Sequence, residues 1–384
     1  MPHRLLHIIT PGDHFSPSTG SAIPTVVHGL SRATPPGEPR PAVLVGRGTY
    51  PDRYDSADAI EYALARGRRF DRYLDVALAR VGLPRPAARR SYAAALRGQH
   101  TWKPSIVLAH NAPQAVALVD AGQHVPVLYA HNLLLRTYGR REMMRVLGPA
   151  AVIVCVSASL AEQTVALLPP ALHSRVRVVL NGVDAAAFDR PGHAHRNGVL
   201  RVTFVGRMIP DKGADILLEA VLRLDRPDIH LTLVGGSGFG PDDPLTRFEQ
   251  SIRRRAQRLG DRVTVLPFVP RAEVAAMLTR ADVVVVPSRW PEPCGLTVLE
   301  GMAAGAAVVG SEIGGIPEML RGVGILVPPG DPQALAEVLE ALAADDALLE
   351  RTAAACLAAA KARDWSRVRG ELGAVLGQTL GERW

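Results

Sequence analysis

The sequence is poor in the residues on which several classes of protein depend. It has only three cysteines, Cys155, Cys294 and Cys356, and their spacing fits neither a disulfide framework nor a zinc site. This scarcity predicts a reducing, cytoplasmic setting. Aromatic residues make up 5% of the chain and no nucleic-acid-binding module occurs, so nucleic acid is not expected as a partner.

Motifs for common cofactors and metals are also missing. No Gly-x-Gly-x-x-Gly fingerprint follows a strand, which disfavours a nicotinamide dehydrogenase, and no P-loop lysine motif occurs. The chain has no Asp-x-Asp and no cluster with metal-ligand spacing. We therefore expect neither a bound metal nor a cofactor.

Charge is present but unevenly distributed. Residues 1–184 contain 21 basic and 12 acidic residues, a net charge of +9, whereas the remainder carries −2. A basic half favours an anionic partner, such as a phosphorylated acceptor or a membrane surface, and the alternative is a solvated arginine-rich face. No apolar run approaches the ~20 residues of a membrane span, and the N-terminus is too short and interrupted for a signal peptide. Any membrane contact should therefore be peripheral.

Short apolar runs alternate with helix-like segments along the chain, and each run is apolar on both faces, as in buried parallel strands. The pattern restarts near residue 200. This predicts two doubly wound, Rossmann-like α/β domains, residues 1–185 and 186–363, with a polar linker at 184–198 and a final helix at about 364–384. Since ligands bind at the carboxyl ends of parallel strands, we expect the site in a cleft where the two domains face each other.

The segment VGRMIPDKGADILLEA (205–220) has the pattern of an anion site. A strand ends near Gly206, two cations follow at Arg207 and Lys212, and a helix begins near Gly213. An anion would find fixed charges and free N–H groups there. The alternative is that both cations are ordinary loop charges.

The segment PEPCGLTVLE (291–300) carries two carboxylates around a helix start. Glu292 lies in the loop after an apolar run, and Glu300 lies in the first turns of the following helix. Each carboxylate could accept hydrogen bonds from two vicinal hydroxyls of a sugar or a ribose. The backbone N–H groups of Gly295, Leu296 and Thr297 could hold a diphosphate between them. The alternative is that Glu300 only complements the helix dipole.

Candidates in the first half follow strands as well. His110 and His131 each end an apolar run in matching Ala-His-Asn settings, where a histidine can hydrogen-bond a substrate hydroxyl. A single histidine of this kind is more often structural. Gly20 and Ser21 lie in a long loop near the start of a helix, where the backbone could approach a phosphate or an acceptor.

These segments resemble, in order, the motifs of the family-4 retaining glycosyltransferases, which have the GT-B fold. VVLNGVDAAAF (178–188) is similar to the end of their first domain, and 205–220 is similar to their Gly-Arg…Lys-Gly segment. PEPCGLTVLEGMAAGAAVVGSEIGGIPE (291–318) resembles their Glu-x7-Glu segment with the Gly-Gly-x-Pro-Glu that follows. DWSRVRGELGAVL (364–376) resembles the last helix, which in the family crosses back onto the first domain.

The resemblance implies metal-independent transfer of a hexosyl group from a UDP- or GDP-sugar to an acceptor hydroxyl. Arg207 and Lys212 would bind the diphosphate, Glu292 the sugar and Glu300 the ribose. The implied catalytic residues are His131, Arg207, Lys212 and Glu292. The other implied donor-binding residues are Gly20, Gly206, Val269, Gly295, Leu296, Thr297 and Glu300. The implied acceptor-binding residues are Gly20, Ser21, His110 and His131.

Two positions depart from the family pattern. The first-domain loop has Gly20-Ser21 where Gly-Gly is frequent, and Cys294 replaces the usual phenylalanine. EPCGL is also similar to glycogen and starch synthases, which lack the second glutamate. Two other functions remain open: a nucleotide-sugar epimerase of similar fold, and a non-catalytic protein that binds sugar nucleotides.

Overall fold

The computed structural model describes residues 3–80, 82–188, 198–238 and 244–381. The chain divides into two compact units, Met1–Asn181 with Trp365–Trp384, and Gly182–Asp364. The division lies a few residues before the expected boundary at 185. The predicted linker 184–198 begins inside the second unit, and residues 189–197 lie outside the described part of the chain.

In its described residues, the first unit forms a parallel sheet of seven strands in the order β3-β2-β1-β4-β5-β6-β7. The strands are β1 (Arg4–Ile8), β2 (Ala42–Gly46), β3 (Asp58–Tyr62), β4 (Ser105–His110), β5 (Val125–Ala130), β6 (Val152–Cys155) and β7 (Val176–Val178). Every residue of β2, β4 and β6 is buried, as their apolar runs predict. The sequence pattern does not predict the edge strand β3, because two acidic residues interrupt its sequence DAIEY and most of its residues are exposed.

Helices connect these strands on both sides of the sheet, as a doubly wound topology requires. They are α1 (Ala22–Arg32), α2 (Asp71–Arg80), α3 (Pro86–Leu96), α4 (Pro113–Val116), α5 (Arg140–Leu147) and α6 (Ala158–Leu167).

The described residues of the second unit repeat this design with six parallel strands in the order β10-β9-β8-β11-β12-β13. The strands are β8 (Leu200–Val205), β9 (Ile229–Val234), β10 (Val263–Leu266), β11 (Val283–Val286), β12 (Ala307–Ser311) and β13 (Ile325–Val327). The helices are α7 (Ala214–Leu224), α8 (Arg247–Ala256), α9 (Arg271–Leu278), α10 (Leu296–Ala303), α11 (Ile316–Leu320), α12 (Pro332–Ala344) and α13 (Asp346–Lys361).

The central strand β11 shows why its sequence reads as a continuous apolar run. Val283 and Val285 pack into one hydrophobic cluster, while Val284 and Val286 pack into another. Successive side chains of a strand point to opposite faces, so a strand covered on both sides needs an apolar residue at every position.

The last helix, α14 (Trp365–Leu380), belongs to the first unit although it follows the second in sequence. The Trp365 indole lies directly on Gly29 of α1, where an added Cβ would come within 2.2 Å of the ring. Arg369 of the same helix is buried and forms an ion pair with Glu38. Among the described residues, no helix combines the length and the apolar composition that a membrane crossing would require.

Candidate active site

Most of the candidate residues follow the strands at which each sheet reverses its order, whereas His131 follows β5 and Val269 follows β10. The neighbouring strands at which the order reverses are β1 and β4 in the first sheet, and β8 and β11 in the second. The loops that leave the carboxyl ends of such a pair run in opposite directions and leave a crevice for ligands. The loop after β8 carries Arg207 and Lys212, and the loop after β11 carries Glu292.

A glycine brings these two loops of the second unit into contact. Gly213 follows Lys212, has a φ of 73° and precedes the first residue of α7. A Cβ at this position would lie 1.9 Å from the carbonyl oxygen of Pro287, in the loop after β11. Both the positive φ and the close approach require glycine. The Gly-Arg…Lys-Gly segment therefore ends in a glycine for a packing reason.

Lys212 and Glu292 form an ion pair across this contact. The Nζ atom of Lys212 lies 2.6 Å from Oε1 of Glu292, although 80 residues separate them in sequence. The hydroxyl of Ser288 donates a second hydrogen bond to the same Oε1 atom, at 2.9 Å. Among the described residues, Oε2 of Glu292 has no hydrogen-bond partner. The carboxylate is thus held by one oxygen and can accept hydrogen bonds from a ligand through the other.

The backbone of Glu292 is held by the glycine pair after β12. The N–H of Gly315 donates to the carbonyl oxygen of Glu292 at 2.6 Å. Gly314 has a φ of 63°, and a Cβ there would come within 2.5 Å of the Glu292 backbone nitrogen. The Gly-Gly-x-Pro-Glu segment therefore positions the first glutamate of the Glu-x7-Glu segment.

Arg207 is available to a ligand. It is exposed, and among the described residues it forms no ion pair. The backbone around it is fixed, because Gly206 donates a hydrogen bond to Val234 at the end of β9 and Met208 donates one to Gly236 in the loop that follows. An exposed guanidinium on a fixed loop can bind an oxyanion in a bidentate manner.

The start of α10 offers backbone donors close to Glu292 in sequence. Gly295 occupies the N-cap position and supplies no side-chain cap. The N–H of Val298 donates to the Gly295 carbonyl, which leaves the N–H groups of Leu296 and Thr297 without a partner among the described residues. Uncapped N–H groups and the helix dipole together favour an anion at this position.

Glu300 is buried on α10 and forms an ion pair with Arg271, the first residue of α9. Val269, which the resemblance implies is a donor-binding residue near the nucleotide base, is half-buried just before this arginine. Sequence reasoning missed Arg271 because the local sequence around this arginine does not reveal a partner 29 residues away. The buried carboxylate therefore has a half-buried arginine as its ion-pair partner, in addition to its position near the helix start.

The long loop of the first unit is ordered by an aspartate. Ser21 is the N-cap residue of α1 but does not cap it; its hydroxyl donates instead to Oδ2 of Asp13 at 2.9 Å. Partial burial raises the pKa of the Asp13 carboxyl, while the hydrogen bonds from Ser21 and the His14 backbone lower it. Gly20 is exposed just before Ser21, whose N–H donates to Oγ1 of Thr19 at 3.2 Å, so a ligand could approach the backbone of this loop at Gly20.

Three histidines of the first unit form a buried line. Nδ1 of His7, on β1, lies 2.9 Å from Nε2 of His110. Nδ1 of His110 in turn lies 2.8 Å from Nε2 of His131. Burial lowers the pKa of His7 and of His131 to about 3, and it lowers that of His110 well below 6.5. The three rings are therefore neutral at physiological pH.

His131 is oriented by its backbone as well. Its N–H donates to Oδ1 of Asn111 at 2.7 Å, and Asn111 has the positive φ of 51°. Sequence reasoning found His110 and His131 but missed His7, because LLHIIT reads as a buried strand with one polar exception. A polar residue inside such a run was the available signal. In the described residues, no group of histidine, cysteine or acidic side chains has the arrangement of a metal site.

Comparisons with known proteins identify the family. Residues 24–187 match the family Glycosyltransferase Family 4, and residues 199–345 match Glycosyl transferases group 1. The chain is 35% identical over 300 residues to D-inositol 3-phosphate glycosyltransferase 1 of Catenulispora acidiphila, covering 70% of this chain and 71% of the relative. It is 30% identical over 275 residues to glycogen synthase of Mycobacterium tuberculosis, covering 66% of this chain but only 64% of that enzyme.

Solved structures show the same fold. HepE of Anabaena, in complex with UDP and glucose, aligns with a TM-score of 0.71 and 19% identity over 98% of this chain and 99% of that one. Sucrose-phosphate synthase of Thermosynechococcus elongatus aligns with a TM-score of 0.72 and 19% identity over 99% of this chain and all of that one. The chain has two Rossmann-like domains with parallel sheets, and its sequence matches both families. It therefore belongs to the glycosyltransferases of the family-4 type, which have the GT-B fold.

Proposed function

We propose that the protein is a retaining glycosyltransferase that moves a hexosyl group from a UDP- or GDP-sugar to an acceptor hydroxyl without a metal ion. The observation that carries the proposal is the contact of Lys212 with Glu292 at 2.6 Å, in loops that also carry Arg207 and lead into the uncapped start of α10. This combination provides cations for phosphates beside a carboxylate for sugar hydroxyls. The complexes of HepE with UDP and with UDP-glucose support a nucleotide-sugar donor.

The site would assist cleavage of the bond between the sugar and the diphosphate by stabilising the leaving diphosphate. As the bond between the anomeric carbon and the phosphate oxygen lengthens, negative charge grows on the diphosphate. Arg207, Lys212 and the N–H groups of Leu296 and Thr297 would stabilise that charge in the transition state. In this role they would replace the divalent ion that other transferases use.

The configuration of the anomeric carbon would be retained because the acceptor attacks it on the face from which the diphosphate departs. The acceptor oxygen forms its bond to the anomeric carbon while the leaving phosphate oxygen takes the acceptor proton. No protein base is then needed. In this mechanism Glu292 would orient the sugar rather than attack it. Lys212 and Ser288 would hold its Oε1 atom, and Oε2 would accept hydrogen bonds from the sugar hydroxyls.

Glu300 would bind the two ribose hydroxyls. Its Oε1 atom is paired with Arg271, which orients the carboxylate. The second oxygen can then accept from the ribose. His131, Gly20 and Ser21 would contact the transferred sugar, the phosphate or the acceptor, as the family resemblance implies.

A thermal-shift panel of UDP-glucose, GDP-mannose and ADP-glucose tests donor binding. A ligand that binds only the folded state stabilises it by about 2.7 kcal/mol at 100 times its Kd, so at least one nucleotide sugar should raise Tm by several degrees. Arg207→Gln should leave the Tm of the free protein unchanged, because Arg207 is exposed, yet reduce the ligand-induced shift. The absence of a shift with every nucleotide sugar would contradict the proposal.

Turnover assays with the bound donor then separate the alternatives. D-inositol 3-phosphate and glycogen, which appear in the names of the relatives, are the first acceptors to try. The product's anomeric configuration, measured by NMR, reports retention or inversion. Donor turnover without any acceptor would indicate an epimerase, and donor binding without transfer to any acceptor would indicate a non-catalytic binding protein.

For the first unit we propose contact with an anionic membrane surface, through a patch at the start of α2. Phe70 and Tyr73 are 67% and 73% exposed, and Arg66, Arg68 and Arg69 lie exposed immediately before them. Large apolar side chains beside clustered cations match the boundary between anionic headgroups and acyl chains. The net charge of +9 in residues 1–184 is positive, as is the charge of this patch.

Vesicle sedimentation tests this contact. The protein should bind vesicles containing phosphatidylglycerol at low salt more strongly than pure phosphatidylcholine, and high salt should weaken binding because it screens exposed charges. The double variant Phe70→Ser, Tyr73→Ser should lose most of the binding. Leu245→Ser is the matched control, since Leu245 is 43% exposed in the second unit. Equal binding by both variants would refute the patch.

A further inference from the structure

The three buried histidines His7, His110 and His131 form a chain of hydrogen bonds. Every ring nitrogen except the two at its ends takes part in one of these bonds. Both nitrogens of His110 face a ring nitrogen of a neighbour, at 2.9 Å and 2.8 Å. Adjacent rings are inclined by only 23° and 22°, so the N–H bonds can point along the line. No oxygen intervenes between these nitrogens, and the protons of the chain must therefore be arranged by the rings themselves.

Two arrangements satisfy both hydrogen bonds when all three rings are neutral. A neutral imidazole has one N–H and one lone pair, so His110 must donate on one side and accept on the other. Either all three rings are protonated at Nδ1, or all three are protonated at Nε2. In the first arrangement His131 presents an N–H at its outer atom, Nδ1; in the second it presents a lone pair there.

A charged His110 would be a third possibility, since it could donate in both directions. Burial opposes it, because a cation without solvent or a counter-ion is costly in the protein interior. The pKa of His110 is lowered well below 6.5, first by burial and then by the neighbouring histidines His131 and His7. The neutral arrangements are therefore the relevant ones.

The inner end of the chain distinguishes the two neutral arrangements. Nε2 of His7 is buried and has no hydrogen-bond partner in the described residues. Protonation at this atom would leave a buried N–H without an acceptor, and an unpaired buried donor is tolerated less well than an unpaired buried acceptor. A lone pair at the same atom costs less.

Arg369 strengthens this preference. Its positive charge acts on His7 and, after burial, is the second cause of the low His7 pKa. Nε of Arg369 is itself buried without a partner in the described residues, and a guanidinium N–H can only donate. A lone pair on His7 suits such a neighbour, whereas an N–H does not.

We propose that His7, together with Arg369 of α14, sets the tautomer of His131 so that His131 presents an N–H donor at Nδ1 to its ligand. The proposal rests on the function above in taking His131 as a ligand-binding residue, and it makes His7, His110 and Arg369 positioning residues. Nδ1 of His131 has no partner in the described residues and is absent from their buried, unpartnered atoms. A ligand of His131 must therefore offer an oxygen lone pair there, such as that of a sugar hydroxyl.

Ring-nitrogen NMR of the full chain labelled with ¹⁵N-histidine tests the proposal directly. At pH 7.5, His7, His110 and His131 should all show the Nδ1–H tautomer, which is the minor form of free histidine. His230 is exposed on β9 and serves as the reference for an unconstrained tautomer equilibrium. An Nε2–H tautomer at His131 in the unsubstituted protein would overturn the proposal, and this readout needs no variant and no activity.

The variant His7→Asp should reverse the direction of the hydrogen bonds along the line of histidines. An aspartate carboxylate can only accept, so His110 would be protonated at Nε2 and donate to it, and His131 would in turn be protonated at Nε2. Nδ1 of His131 should then lose its proton, and the KM for the donor should rise about three- to ten-fold, the equivalent of one neutral hydrogen bond. The ring-nitrogen shifts of His110 report whether that ring stays neutral in the variant, and an unchanged His131 spectrum beside a neutral His110 contradicts the coupling.

The same experiments distinguish the two proposals from one another. If no sugar is transferred but the three Nδ1–H signals are present, the tautomer assignment holds and the proposed function fails. If transfer occurs and His131 carries its proton at Nε2, the function holds and the tautomer assignment fails.

Discussion

Replacing Lys212 with methionine should lower the turnover of sugar transfer by about 10²–10³-fold, the cost of removing one preorganised donor from a developing anion. Methionine preserves the length and the apolar part of the side chain but removes the charge. The loss has two sources: one cation is taken from the diphosphate, and Glu292 loses the partner that holds its Oε1 atom. Ser288 still donates to that oxygen, so the carboxylate keeps part of its orientation.

Steady-state kinetics and thermal unfolding measured together check this expectation. Lys212 has a side chain that is 28% exposed, so its substitution should alter Tm by a few degrees at most. Arg321→Met is the matched control, because Arg321 also pairs with a glutamate in the second unit, at an exposed position. The control should keep its turnover. A Lys212→Met enzyme with turnover within three-fold of the unsubstituted protein would remove Lys212 from the mechanism.

Mild acid should destabilise the first unit. In the folded protein the pKa values of His7 and His131 are about 3, and the pKa of His110 is well below 6.5. All three are lowered mainly because burial disfavours the charged ring. Above pH 6.5 the rings are neutral in both states. Below it the unfolded chain takes up protons that the folded chain does not, so stability falls with pH from 6.5 towards about 3. Each fully titrating histidine contributes about 1.4 kcal/mol per pH unit.

Urea unfolding at pH 7.5, 6.0 and 5.0 measures this effect through the midpoint of the first unit. The midpoint should fall at each step. His7→Gln should make the fall shallower by about one proton, whereas His230→Gln should not, because His230 is exposed in the second unit. A midpoint that is flat or rises between pH 7.5 and 5.0 would show that the rings are charged in the folded protein.

Local sequence patterns predict most of the fold, because the strands are buried on both faces and read as apolar runs. They fail at β3, where an edge strand of mostly exposed residues has no such run. They also place each member of the candidate site beside its strand or helix. They cannot reveal which members meet, because the Lys212–Glu292 contact depends on the order of strands β8 and β11 and on the Gly213 approach to Pro287.

The same limit explains the two residues that sequence reasoning missed. His7 is a polar residue in an apolar run, and the partner that explains it is visible only when the strand order places β1 next to β4 and so His7 next to His110. Arg271 is one of many arginines in the chain, and its pairing with Glu300 depends on where the fold places the start of α9 relative to α10. In both cases the chemistry arises from tertiary neighbours, which local propensity does not encode.

The return of α14 to the first unit has a consequence for the order in which the chain folds during synthesis. Domains generally fold as units as the ribosome releases them, and the backbone of the second unit ends beside its own start, with the Val183 N–H donating to the Arg363 carbonyl. That unit can therefore close while α14 is still in the exit tunnel. The first unit begins earlier but is completed later, when Trp365 reaches Gly29 and Arg369 reaches Glu38. A chain interrupted before residue 365 would carry a finished second unit and an unfinished first one.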